Sequence, residues 1–160
     1  MPSTIPEGYT TVTPWIISAD TPQLIDFLIA AFDGIELARL ANEDGSISHA
    51  EIRIGDAVVM AFDAPPGIDP MPAFIRLYVD DARKGFAKAL EAGATEVTKP
   101  TLLAFGDRVA RVRDPLGNIW WLQQRVEEVS ETEMQERWSD PRWSEPMNYV
   151  QHSLVEALKH

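Results

Sequence analysis

Gly106-Asp107-Arg108-Val109-Ala110-Arg111-Val112-Arg113-Asp114-Pro115-Leu116-Gly117-Asn118-Ile119-Trp120-Trp121-Leu122-Gln123-Gln124 decides the fold. Two runs of alternating residues flank the tetrapeptide Asp114-Pro115-Leu116-Gly117. Proline presets its own φ, aspartate hydrogen-bonds ahead to the backbone, and Gly117 supplies the positive φ that closes the turn. Strand-like runs on either side of such a cluster predict a β-hairpin.

Upstream, the chain reads as two passes of one pattern. In the first, Thr11–Ser18 is β-rich, with Pro14 confining it to an edge or a strand start. Asp20 or Thr21 caps a helix with Pro22 in its first turn, and Leu24, Phe27, Leu28, Ala31 and Phe32 repeat at helical spacing until Asp33-Gly34 stops it. Three strands follow, over Ile35–Leu40, Ile47–Ile54 and Ala57–Phe62. A Pro-rich connector, Ala64–Pro72, leads into the second pass. Its strand is Ala73–Val79, its helix is capped by Asp80 or Asp81 and ends at Gly93, and Thr95–Lys99 precedes the opening hairpin. Asp20 to Asp56 spans 36 residues and Asp80 to Asp114 spans 34. A period near 60 residues predicts a duplicated βαβββ module, against the alternative of two unrelated α+β stretches. The expected organisation is an arm over 1–10, a domain over 11–130 with modules at 11–63 and 73–125, and a helical extension over 131–160.

In that extension, Ser130-Glu131-Thr132-Glu133 is a capping-box pattern that starts a short helix. Asp140-Pro141-Arg142-Trp143 breaks it. Met147, Val150, Leu154, Val155 and Leu158 then repeat at helical spacing, giving an amphipathic helix that needs an apolar surface. Its own domain and a second subunit are equally good candidates for that surface.

The 160 residues carry 14 basic and 25 acidic side chains and no cysteine. Disulfides, thiolate nucleophiles and cysteine-based zinc sites are therefore excluded. The net charge of −11 is shared, −5 over residues 126–160 and −6 over the rest. Such a surface repels phosphate backbones, so no nucleic-acid partner is expected. No signal-peptide pattern opens the chain and no apolar run reaches the ~20 residues of a membrane helix. The expectation is a cytoplasmic protein with no membrane partner.

Strand parity separates two faces. Ala50, Ile52 and Ile54, with Ile75, Leu77 and Val79, form the apolar side that suits the helices. On the opposite side stand Thr13, Trp15, His49, Glu51, Arg53, Phe74, Arg76, Tyr78, Arg111, Arg113, Trp121 and Gln123. Singly, each charged member reads as a solvated residue on an open sheet face. Together, the aromatics Trp15, Phe74, Tyr78 and Trp121 predict a small-molecule cup.

Segments 11–15, 47–56, 77–81, 105–108, 112–120 and 126–130 resemble the vicinal oxygen chelate superfamily of glyoxalase I, fosfomycin- and bleomycin-resistance proteins and extradiol dioxygenases. The likeness is greatest to its small bacterial glyoxalase-like branch associated with phosphonate operons. It implies an α+β fold of two βαβββ modules curved into a cup, and a homodimer. The superfamily's enzymes hold a divalent metal through His, Gln or Glu. At the equivalent positions here stand Thr13, Phe74, Trp121 and a residue within Val58–Met60, none of them a ligand. No metal and no cofactor is therefore expected, although His49 and Glu51, two apart on one strand, could share an ion.

Three functions follow as expectations. One is a metal-free protein that binds an aromatic or anionic organic ligand in a Trp-lined cup, with Arg53, Arg76 or Arg111 pairing a carboxylate or phosphonate. A second is a lyase, isomerase or transferase that uses an atypical metal or acid–base chemistry at Glu51 and His49. The third is a non-catalytic assembly partner that makes contact through the acidic tail.

Overall fold

A computed structural model describes all 160 residues. Two four-stranded mixed sheets are flanked by helices, and each sheet is built by one module. The first sheet comprises β1 (Trp15–Ser18), β2 (Ile35–Ala41), β3 (Ile47–Ile54) and β4 (Ala57–Asp63), in the order β1-β4-β3-β2. The second repeats that order as β5-β8-β7-β6, from β5 (Phe74–Tyr78), β6 (Thr95–Leu102), β7 (Asp107–Arg113) and β8 (Ile119–Arg125). In both, the first strand runs parallel to the last and the other neighbours pair antiparallel. The repeat seen in the spacing is thus a repeat of topology. No ladder joins the two sheets; instead Met71 of the connector forms an antiparallel bridge to Ile17 on the outer edge of β1.

The opening hairpin forms around a buried carboxylate. Asp114 accepts hydrogen bonds from the backbone N–H of Leu116 (2.9 Å) and Asn118 (3.0 Å) and from the side chains of Asn118 (2.8 Å) and Trp120 (2.8 Å). Gly117 closes the turn at φ +94°, donating to the Asp114 carbonyl. Asn118 in turn accepts from the N–H of Ala73 (2.8 Å), which anchors the start of β5 to β8.

Both module helices start at aspartate caps. For α1 (Thr21–Phe32) the cap is Asp20, bonded to the N–H of Gln23; for α2 (Ala82–Glu91) it is Asp81, bonded to those of Arg83 and Lys84. The α1 stop is Asp33 in the left-handed region (φ 55°), after which the Gly34 N–H returns to the Leu28 carbonyl. α1 packs on α2, and one cluster of 18 buried residues draws from both modules, Leu24, Ile52 and Ala61 alongside Phe86, Val112 and Trp120. The rings of Phe32 and Trp120 meet at 5.4 Å, and Trp120 is fully buried.

Three elements differ from the sequence expectation. β1 begins at Trp15, because Pro14 has no N–H to donate, although its carbonyl still accepts from Met60. β6 runs on to Leu102 past Pro100, with a register shift between Thr98 and Thr101 where the proline interrupts the ladder. Asp140-Pro141 is the start of a helix as well as the end of one. Asp140 caps α4 (Pro141–Leu158), with Pro141 in its first turn, directly after α3 (Glu131–Trp138). α4 packs on its own chain, along β6, the first of the two surfaces left open by the sequence.

Candidate functional site

The inner faces of the two sheets, opposite the helices, carry the residues singled out by parity. They gather into two clusters, one per sheet, and no hydrogen bond, ion pair or ring contact joins them.

On the first sheet, β3 presents His49, Glu51 and Arg53, all half-buried, while β1 adds Trp15 and β4 adds Phe62. Trp15 lies 5.5 Å from the His49 ring and 5.9 Å from Phe62. His49 Nε2 is 3.4 Å from Glu51 Oε2, and the other carboxylate oxygen accepts from the Tyr9 hydroxyl at 2.6 Å. Glu51 thereby bridges an imidazole and a phenol. The hydrogen bond to Glu51 raises the Tyr9 pKa above its ordinary value of 10.0, and burial and the nearby negative charge push the same way. The arm before β1 thus folds over this face, with Gly8 against the Arg53 guanidinium. Sequence reasoning missed Tyr9, because an arm rich in Pro and Gly shows no periodicity that would tie it to a partner 42 residues away. Thr13 lies just outside β1.

On the second sheet, β5 presents Phe74, Arg76 and Tyr78, all exposed. Arg76 sits among aromatic rings, its guanidinium carbon 5.3 Å from the Tyr78 ring centre and 5.5 Å from that of Trp121; Phe74 meets Trp121 edge-on at 5.9 Å. Arg76 has no carboxylate partner. Its Nη1 donates to Gln123 Oε1 (3.0 Å), and Gln123 Nε2 donates to Asp107 (2.6 Å). Arg76 and Tyr78 also line a cavity of about 710 Å³ along the outer edge of β5, walled by Phe32, Ile54 and Val79 and by Lys84 and Lys88 of α2.

Gln123 (5% exposed) and Arg111 (2%) were expected to stand open to a ligand, but both are buried. Gln123 is tied into the Arg76–Asp107 chain. Arg111 stacks on Trp121, 3.9 Å from the ring centre, and its Nη1 donates to Thr98 Oγ1 (3.2 Å) and to the Val150 carbonyl of α4 (2.7 Å). Parity put Arg111 on the correct face; it could not show that α4 lies across that face. Of the four aromatics expected to wall a cup, Trp15 stands in the first cluster and Phe74, Tyr78 and Trp121 in the second, with no ring contact between the two groups.

No three His, Asp or Glu side chains come together in a way that could hold a metal ion. Of the positions equivalent to the superfamily's ligands, Phe74 and Trp121 are in ring contact, Thr13 lies just outside β1, and the fourth falls within Val58–Met60 of β4. A phenyl and an indole are not ligands for a divalent ion.

The fold and the sequence together define a class. Residues 9–122 match the model of the Glyoxalase/Bleomycin resistance protein/Dioxygenase superfamily, and the chain belongs to that family. An uncharacterised protein of Mycobacterium tuberculosis strain H37Rv is 37% identical over 135 residues, 78% of this chain and 79% of that one. Among solved structures, TioX from Micromonospora sp. ML1 superposes with a TM-score of 0.62 at 23% identity, covering 73% of this chain and 99% of its own. A glyoxalase I mutant from Zea mays gives 0.59 at 18% identity, covering 72% of this chain and 44% of its own. No helix is long and apolar enough to cross a membrane.

Proposed function

We propose that the protein binds a small aromatic, anionic organic molecule on the inner face of the second sheet, without a metal. The observation that carries this is Arg76, an exposed guanidinium with no carboxylate partner, set among Tyr78, Trp121 and Phe74. A cation held between aromatic faces attracts a planar anion twice, by charge and by stacking. Leaving Phe74 and Tyr78 48% and 65% exposed keeps apolar area available for a guest. Placement in the phosphonate-operon type of branch, residence in the cytoplasm and assembly as a homodimer belong to the same proposal. A thermal-shift screen of aromatic carboxylates and phosphonates tests it on the wild type, Phe74→Ala, Arg76→Gln and Trp121→Ala. Ligands that stabilise all four proteins equally would move the site elsewhere, and stoichiometric Ni, Zn, Mn or Fe in the purified protein would end the metal-free part.

A second reading rests on Glu51. Gripped by Tyr9 and facing His49, it is arranged to take a proton from a substrate held against Trp15. Proton abstraction of this kind is the isomerase or lyase chemistry open to this chain. Glu51-dependent exchange of substrate α-hydrogens with deuterated solvent would identify it.

A further inference from the structure

The guanidinium of Arg111 is 2% exposed and forms no ion pair, in a chain carrying 25 acidic residues. Its Nε has no hydrogen-bond partner, and neither has the indole Nε1 of Trp121, on which it stacks. Burial lowers the Arg111 pKa to about 10, so the group remains a cation at neutral pH. A buried charge without a counter-ion is expensive, and a buried donor without an acceptor adds to that cost. Two such donors side by side on the inner face of the sheet mark a place where an acceptor is missing.

What covers them is α4, and the cover is shallow. Val150 is the one buried residue among its 18, and Tyr149, Val155 and Leu158 stay 38%, 50% and 62% exposed. Besides the Arg111 contact, three hydrogen bonds hold it: Tyr149 Oη with the Lys99 N–H (2.8 Å), Ser153 with Thr98 (2.7 Å), and Arg113 with the Ala157 carbonyl (2.6 Å). Its apolar hold is one small cluster, Val150 and Met147 against Leu103 and Val109, and of the three hydrogen bonds the Tyr149–Lys99 one is exposed and the other two part-buried. An element held by so small a contact is among the first to open.

We infer that α4 is a displaceable cover over a carboxylate site formed by Arg111 and the Trp121 indole N–H, with the Val150 carbonyl holding the place of the ligand's oxygen. The ligand class is a planar aromatic carboxylate, whose ring lies on the Phe74–Trp121 side and whose charge meets Arg111. This rests on the binding reading above, and adds to it the second cation and the moving helix. Binding then draws on the fraction of molecules in which α4 is lifted, so anything that loosens the helix tightens the ligand.

The test uses the full chain, titrated with sodium benzoate, neutral benzamide and inorganic phosphate, followed by tryptophan fluorescence and by amide exchange over residues 147–158. The expected result is that benzoate alone binds and accelerates exchange in α4. Tyr149→Phe/Ser153→Ala, which removes two partly exposed tethers, should tighten benzoate roughly tenfold. Arg111→Gln and Arg111→Met, both checked for folding by circular dichroism, should each weaken it at least tenfold. Benzoate bound equally by wild type and both Arg111 variants, but lost in Arg76→Gln, would overturn the inference and leave the binding reading standing. Benzoate that slows exchange in α4, phosphate that binds in its place, or no binding even by the loosened variant would each overturn it as well.

Discussion

Replacing Asp114 by alanine should come close to unfolding the protein. The carboxylate is 3% exposed and accepts four hydrogen bonds, two from backbone N–H groups and two from the buried side chains of Asn118 and Trp120. In Asp114→Ala the Asn118 N–H, the Asn118 amide and the Trp120 indole N–H lose their acceptor inside the protein, where no water replaces it. Each orphaned donor costs about 1–3 kcal/mol, so the sum is roughly 3–6 kcal/mol after partial relaxation of the turn. A domain has about 5–15 kcal/mol in all. Asp114→Asn, which turns one acceptor into a donor pointing at donors, should cost about half as much. The loss should also reach the ligand face, because Asn118 anchors Ala73 and hence the strand carrying Phe74 and Arg76. Urea denaturation followed by near-ultraviolet circular dichroism of Trp120 and Trp121 gives both the free energy and the state of the hairpin. A loss below about 1 kcal/mol for Asp114→Ala would refute the view that this carboxylate is the internal anchor of the hairpin.

The Tyr9 phenol is stabilised in its neutral form by donating to Glu51, so its folded pKa lies above the unfolded one. Its contribution is present below about pH 10 and is lost as pH rises through the folded value; absorbance at 295 nm should show one late-titrating tyrosine, absent in Tyr9→Phe and returned to the ordinary range in Glu51→Gln. Asp63 has the opposite sign. Burial raises its pKa, but the N–H groups of Ile47 and Thr21 (each 2.7 Å) outweigh that and leave it below 3.8. Its stabilisation is therefore present above about pH 4 and fades as pH falls through the folded value, so Asp63→Asn should cost about 1–3 kcal/mol at pH 7 and progressively less toward pH 2 by urea titration.

The duplicated module was legible because its signals are local. Aspartate caps, a proline in the first helical turn and glycine-closed turns work within a few residues, so their spacing survives in one dimension. The inner-face residues were legible for the same reason, since side-chain alternation in a strand needs no knowledge of what lies opposite. Tyr9, Gln123 and Arg111 were not open to such reasoning. Tyr9 reaches Glu51 across 42 residues from an arm with no periodicity, and Arg111 meets Val150 across 39.

By itself, then, the sequence determined the elements, the repeat and the side of each sheet on which a residue stands, because backbone geometry and hydrogen-bonding turns set these within each segment. Tertiary structure alone decided that the inner face holds two clusters, one clasped by the arm and one roofed by α4. Those contacts depend on where distant segments come to rest, and that is set by the packing of apolar surfaces across the whole chain.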